Sequence, residues 1–475
     1  MNKSYKYQQA VISLCVMFAF FLKPTYAEVV NADSIIYGDY VVTMVTDQPV
    51  IEDGAVVVIG NNIIAVGTRS AIDKKYSAKQ KISGSGRILM PGLVNGHTHT
   101  PMTLLRGFAD DLDLMTWLND YIFPVESTVV DKDFIRVGSE LACWEMIRGG
   151  TTTFVDMYFY ANVTAEVVEH CGLRAVITGV ALDFPAPGST GWDNSFKDAV
   201  EFVKLWQGKN ERITPGFGPH APYTVSPEHL KQVALKAKEM KAPVSIHVAE
   251  SEIESAIIQE RYNASPVKHV LDLGFAPGNL ITAHMVHPNE KDIKMLVKHK
   301  VGVIHNPTSN LKLASGIAPV SKMLAEGVLV GLGTDGAASN NDLDLWEEMR
   351  LSALIHKVKM NNPTAIPALT ALKMATSMGA EAIGLGEETG QLIAGKRADM
   401  IQVSFDSPRL SPMYNVVSHL VYAIDANDVV TSMVSGKLLM KDRKVLTLDS
   451  KSVKDAANAK SRIIMQTLVS GKPSH

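Results

Sequence analysis

Between positions 93 and 335 the chain alternates eight short apolar runs with helix-length segments, and this alternation restricts the fold more than any other feature. The runs are LVNGHTH (93–99), TTFVDM (152–157), RAVITGV (174–180), ITPGFGPH (213–220), VSIHVAE (244–250), LITAHMV (280–286), VGVIHNP (301–307) and LVGLGTD (329–335). Near-continuous apolar strands separated by helices mark a parallel sheet buried on both faces. Eight of them predict an α/β protein built on a closed (β/α)8 TIM barrel, assigned to residues 91–395. A doubly wound open sheet is disfavoured, because no G-x-G-x-x-G follows the first run.

On either side the text turns β-rich. SIIYGDYVVTMV, GAVVVIG and IIAVG precede the barrel, and ADMIQVSF, VVTSMVSG and KLLMKDRKVL follow it, with Gly and Asn punctuating β-branched runs. The two ends are expected to pair into one small β-sandwich from residues 28–90 and 396–450, leaving 451–475 as a C-terminal tail or helix.

Residues 1–27 read as a cleaved secretory signal. Lys3 and Lys6 precede the apolar run 11–22, and Thr25-Tyr26-Ala27 offers small residues where a signal peptidase reads. The expected location is the periplasm. The run is too short to span hydrocarbon, so no membrane association is expected after cleavage. Leu14 before Cys15 does not suit a lipoprotein signal, and the mature chain keeps only Cys143 and Cys171, too few for a disulfide framework. Forty-six Lys and Arg against 49 Asp and Glu give a net charge of −3 with no block of like charge, which argues against a nucleic-acid partner. A small molecule is the expected partner, and a homo-oligomer is compatible with the sequence.

Six runs end in residues that an apolar barrel would not select for packing: His97-Thr98-His99, His220, His247 with Glu250, His284, His305-Asn306 and Asp335. In a barrel these ends converge on one mouth, where reacting groups sit. His97 and His99 lie two apart, so on a strand both imidazoles face the same side, as two ligands of one metal must. With a His on the fifth run and an Asp on the eighth, the set suits a divalent cation.

The text PGLVNGHTHTPMTLLRGFADDLDLMTWL, FVDMYF, GFGPHAPYTVSPEHL, HVAESEIE, ITAHMVHP, HNPTSNLKLASGIAPV and GTDGAASNNDLDLWEEMR resembles the amidohydrolase superfamily. Within it, the chain is similar to the branch of S-adenosylhomocysteine and 5′-methylthioadenosine deaminases, next to the triazine hydrolases. The resemblance runs from about residue 30 to 445. It implies that His97, His99, His247 and Asp335 are metal ligands, that His284 contacts the attacking water, and that Glu250 shuttles protons. Asp335 would also accept a hydrogen bond from that water. Glu126 would hold ribose hydroxyls and His220 would touch substrate.

Binuclear superfamily members add a carboxylated Lys from a central strand. Neither GFGPH nor VSIHVAE has a lysine, so one divalent metal per chain is expected: Zn2+ on ligand type, with Fe2+ or Mn2+ compatible with the same donors. His305 is expected to brace the loop after the seventh run, and His287, His299, His356 and the remaining histidines are assigned to the surface. The resembled branch often carries an Arg just after the third strand. Here ITGVALDFP places Gly179 and Val180 there.

The implied function is hydrolytic deamination of an adenine nucleoside or related N-heterocycle, with release of ammonia. A cyclic-amide or halotriazine hydrolase on the same scaffold is the alternative. A non-catalytic binding barrel is disfavoured, because every expected metal ligand is present.

Overall fold

A computed structural model describes residues 29–45, 50–275 and 278–470; the expected signal segment lies outside the described residues. At its centre eight parallel strands close into a barrel: β1 (Leu93–Thr98), β2 (Thr151–Tyr158), β3 (Arg174–Ala181), β4 (Ile213–Pro219), β5 (Val244–Val248), β6 (Leu280–His284), β7 (Gly302–His305) and β8 (Leu329–Leu332). All eight runs read from the sequence are strands. Each pairs with its neighbours in the chain, and β8 closes on β1 through Leu332 opposite Asn95.

The interior is filled at one end only. Val94, Val155, Val176, Ile281 and Ile304 pack inside the barrel against Ala380, Ala382, Ile383 and Leu385. The segment bearing those last residues lies across the N-terminal strand ends, where the Val94 amide donates to the Ala375 carbonyl. Gly302 opens β7 there, and a Cβ at this position would sit 1.8 Å from the Ala382 carbonyl oxygen, so only glycine admits the segment. The opposite, C-terminal mouth is left to the polar residues.

The chain ends pair as expected. Val30–Val42 is antiparallel to Val50–Ile59 and parallel to Tyr76–Ile82 and Arg87–Pro91. Arg87–Pro91 then pairs antiparallel with Met400–Ser404, which continues into Val429–Val434 and Lys437–Lys441. The result is one connected nine-stranded sheet. Arg174, buried at the start of β3, ties this sheet to the barrel through Asp399 at 2.6 Å and Ser435 at 3.0 Å. A buried guanidinium without such a carboxylate would be strongly destabilising.

The C-terminal segment is a helix over Ser450–Ser470. It docks on the barrel helix Lys132–Gly149, where Lys460 Nζ lies 3.1 Å from both Asp131 and Asp133. Its Ile464 is buried with Leu118, Ile122, Val125 and Phe134.

Two histidines assigned to the surface are buried. His356 falls on the same stripe of helix Leu345–Lys359 as the buried Met349, Ser352 and Ala353, the spacing of a core-facing face. Its Nε2 lies 3.4 Å from that of His305, which is thereby braced. His269 is stacked on Tyr262, ring centroids 4.2 Å apart. In both cases helical spacing, rather than residue polarity, decided the environment.

Candidate active site

At the open mouth, the end of β1 is locked to the end of β8. Asn95 donates to Thr334 Oγ1 and accepts from the Thr334 amide, and the Asp335 amide donates to the His97 carbonyl at 3.0 Å. This latch brings Asp335 Oδ1 to 3.4 Å from His97 Nε2 and 3.2 Å from His99 Nε2. His247, on β5, completes the group: its Nε2 is 3.1 Å from that of His97 and 3.3 Å from that of His99.

These four atoms fit a metal ion. Bonds of about 2.0–2.1 Å arranged tetrahedrally put ligand atoms about 3.3–3.4 Å apart, close to the spacings here. The tautomers agree. His247 Nδ1 donates to the His220 carbonyl at 2.7 Å and His99 Nδ1 donates to the Met157 carbonyl, so both Nε2 lone pairs converge on the same space. Electrostatics agree as well. Burial holds His97 down at about 4 and His247 well below its ordinary value. Burial also opposes charge on His99, but the Asp335 carboxylate beside it prevails and pushes it up to about 9. A bound cation would compete with protons for these lone pairs.

Glu250 and His284 stand at the edge of this group. His284 Nε2 lies 3.8 Å from Glu250 Oε2 and 3.9 Å from Asp335 Oδ2. Glu250 is buried, which raises its carboxyl above the ordinary range, and among the described residues its carboxylate accepts no hydrogen bond. The backbone beneath is strained: Ala249, His284 and Asp335 have φ of 56°, 75° and 65°. Left-handed conformations in non-glycine residues cost about 1–3 kcal/mol each and persist where surrounding contacts enforce them.

Beside His99 an apolar cavity opens, walled by Met102, Trp117, Leu118, Phe123, Met157 and Val180. Glu126, Tyr158 and His220 join His99 as its polar groups. Glu126, on helix Phe123–Val129, accepts from the Tyr158 hydroxyl at 2.6 Å. His220 Nδ1 pairs with Thr224 Oγ1 at 3.0 Å, and burial keeps the ring neutral, down at about 3. All eight site residues named from the sequence are thus gathered at one mouth.

Sequence reasoning missed Tyr158, Ser309 and Asn310. Tyr158 ends β2 as a polar aromatic at a strand end. Ser309 and Asn310 lie in the first turn after β7, in the quoted text NPTSNLK. The position of each at, or just past, the end of a barrel strand was the available signal.

A closed parallel barrel whose mouth gathers three imidazoles and a carboxylate, with a second carboxylate poised beside them, defines a metal-dependent hydrolase. Residues 88–439 match the amidohydrolase family. The chain belongs to that family. It is 46% identical over 406 residues to a 5-methylthioadenosine/S-adenosylhomocysteine deaminase of Carboxydothermus hydrogenoformans, covering 85% of this chain and 92% of that one. It is 47% identical over 427 residues to a 5′-deoxyadenosine deaminase of Methanosarcina mazei, covering 90% and 97%. Among solved structures, an adenosine deaminase from Xanthomonas campestris with bound zinc superposes with a TM-score of 0.90 at 37% identity, covering 92% of this chain and all of that one.

Proposed function

We propose that the protein hydrolyses the exocyclic amine of an adenine nucleoside, giving the hypoxanthine counterpart and ammonia. The observation that carries this reading is the placement of Glu250 beside the four-residue metal group, with Glu126 across an adjoining apolar cavity. The names of the three proteins compared above, each a deaminase of an adenosine-type compound, support it.

His97, His99, His247 and Asp335 would hold one divalent ion, and the zinc in the adenosine deaminase structure favours Zn2+. When bound, such an ion makes water acidic enough to supply hydroxide near neutral pH. Glu250, with no hydrogen-bond donor occupying it, carries the two protons of the attacking water in turn, the first to the ring nitrogen and the second, given up as the new C–O bond becomes the oxo group, to the departing amine. Water and the aminated ring thereby become the oxo ring and ammonia, with atoms and charge balanced. His284 Nε2 orients the water, while Asp335 Oδ2 is already engaged by Ser309 at 2.7 Å and Ser339 at 3.1 Å. Glu250 is therefore the better proton carrier of the two carboxylates. Glu126 and Tyr158 receive sugar hydroxyls, and His220 contacts the ring. Trp117, Leu118, Phe123 and Met157 exclude bulk water. Val180 occupies the cavity wall where the resembled branch often has Arg, so discrimination among 5′ substituents is expected to be relaxed. Cleavage after Ala27 would place this activity in the periplasm.

The test is ammonia release by zinc-loaded protein from adenosine, 5′-deoxyadenosine, methylthioadenosine and adenosylhomocysteine, with free adenine, a halotriazine and a cyclic amide alongside. Turnover of at least one nucleoside is expected. Ammonia only from another heterocycle would remove the nucleoside assignment, and ring opening or halide release alone would remove the deaminase assignment.

A further inference from the structure

We infer that Ser309 and Asn310 are a paired positioning device: one turn of helix that sets both the metal-binding carboxylate Asp335 and the water-orienting imidazole His284. The inference rests on the reaction proposed above and adds residues to it.

The short helix Pro307–Lys312 leaves the end of β7, and β7 is hydrogen-bonded to β6 on one side and β8 on the other. Successive residues of a helix point about 100° apart. A helix standing over the middle strand of three can therefore send adjacent side chains to the two outer strands. Ser309 and Asn310 do this. The Ser309 hydroxyl donates to Asp335 Oδ2 at 2.7 Å, past the end of β8, and Asn310 Oδ1 lies 2.8 Å from His284 Nδ1, at the end of β6. Both side chains are buried.

Each contact fixes which atom faces the site. Asp335 has two oxygens. Oδ2 is held by Ser309 and by Ser339, while Oδ1 accepts from the Gly336 amide at 2.8 Å and is the oxygen that faces His97 Nε2 and His99 Nε2, so the carboxylate is set to give one bond to an ion. His284 has two nitrogens, and an amide oxygen can only accept. Asn310 Oδ1 at 2.8 Å is a closer partner of Nδ1 than Asn306 Nδ2 at 3.4 Å, so Nδ1 carries the hydrogen, which leaves the Nε2 lone pair pointing toward Glu250. His284 and Asp335 are also the two groups here whose own backbone sits at φ of 75° and 65°, where outside contacts must hold the conformation.

The two contacts make separable predictions, because one side chain touches a metal donor and the other does not. Outer partners of ligating groups typically change metal affinity or activity by about 10–100-fold. Ser309→Ala should weaken Zn2+ affinity by that factor, read by calorimetric titration of chelator-stripped protein, with activity restored at saturating zinc. Asn310→Ala should keep zinc affinity and KM near wild type while kcat falls by that factor. The conservative variants Ser309→Thr, which keeps the hydroxyl, and Asn310→Asp, which keeps the acceptor oxygen, should recover most of each loss. Circular dichroism melts of all four establish that the comparison is among folded proteins. Wild-type zinc affinity in Ser309→Ala, or an Asn310→Ala kcat within threefold of wild type, would overturn the assignment. So would failure of the conservative variants to recover function while remaining folded. The zinc titration stays readable if the wild-type protein deaminates no nucleoside, so failure of the reaction and failure of this inference are distinguishable.

Discussion

The Tyr158 hydroxyl donates to Glu126 at 2.6 Å, joining the end of β2 to helix Phe123–Val129 with both side chains buried. If this pair receives sugar hydroxyls, as proposed, Glu126→Ala should raise KM for a nucleoside more than for a free base. Steady-state kinetics on adenosine and adenine decide it.

The same burial has a pH signature. It raises Glu126 from its ordinary 4.5 to about 7, against the pull of the Tyr158 hydroxyl and of charge on His99. A folded pKa above the unfolded one means that the folded state binds more protons in that window. The contribution to stability is full below about 4.5 and lost as pH rises through about 7. For metal-free protein, wild type should therefore lose stability relative to Glu126→Gln across this interval, by a few kcal/mol at most, since each pKa unit is worth about 1.4 kcal/mol. Parallel urea melts at pH 4.5 and 7.5 measure it, and an unchanging difference would contradict the assignment.

Glu250→Gln keeps shape and polarity and removes the titrating group. Metal content should be unchanged and kcat lower by roughly 10² or more. If this variant turned over like wild type, proton transfer would have to be reassigned to Asp335.

Replacing His97, His99, His247 or Asp335 by Ala removes one of four converging donors, so each should lose most of the bound metal, while wild type carries about one ion per chain. Elemental analysis reads both. Full retention in all four variants would refute the ligand set, and two ions per chain would refute the single-metal expectation.

The barrel and the reacting groups were legible in the sequence because the strands are short and apolar and six of the eight end in residues that packing alone would not choose. Strand periodicity and barrel convergence bring His97, His99, His247 and Asp335 to one mouth, and the family resemblance is what selects these four from the other polar strand ends as the ligand set. The supporting residues were less legible. Ser309 and Asn310 act across strands, and no local pattern reports that one turn of helix spans β6 and β8. His356 shows the converse, a polar residue that reads as surface yet sits on a buried helical stripe with His305 as its partner. The tie between Arg174 and Asp399, 225 residues apart, was invisible for the same reason.

The positively charged start, short apolar run and Thr25-Tyr26-Ala27 together predict export with cleavage after Ala27. Intact-mass measurement on protein recovered from the periplasm should give a chain starting at Glu28. A full-length chain in the cytosolic fraction would defeat this expectation.

The C-terminal helix should matter for substrate binding although none of it lines the cavity. Its Ile464 is buried in the apolar cluster that also holds Leu118, Ile122 and Val125, and Lys460 pairs with Asp131 and Asp133 at the start of the next helix. Leu118 and Ile122 belong at the same time to the cavity wall, together with Trp117, Phe123 and Glu126. Ser450–Ser470 therefore backs the segment that carries Glu126. Ile464→Asp places a charge in that apolar contact with no partner, which undocks the helix rather than burying the charge. The segment then loses its backing while the metal group at the strand ends keeps its own latch through Asn95 and Thr334. The expected result is a nucleoside KM raised by roughly tenfold, equivalent to about 1.4 kcal/mol of binding, with zinc content unchanged and kcat within a factor of about three. The milder Ile464→Ala should fall between. Loss of zinc in parallel with binding would show that the helix stabilises the whole barrel, and wild-type KM in Ile464→Asp would show that the segment holds its shape unaided.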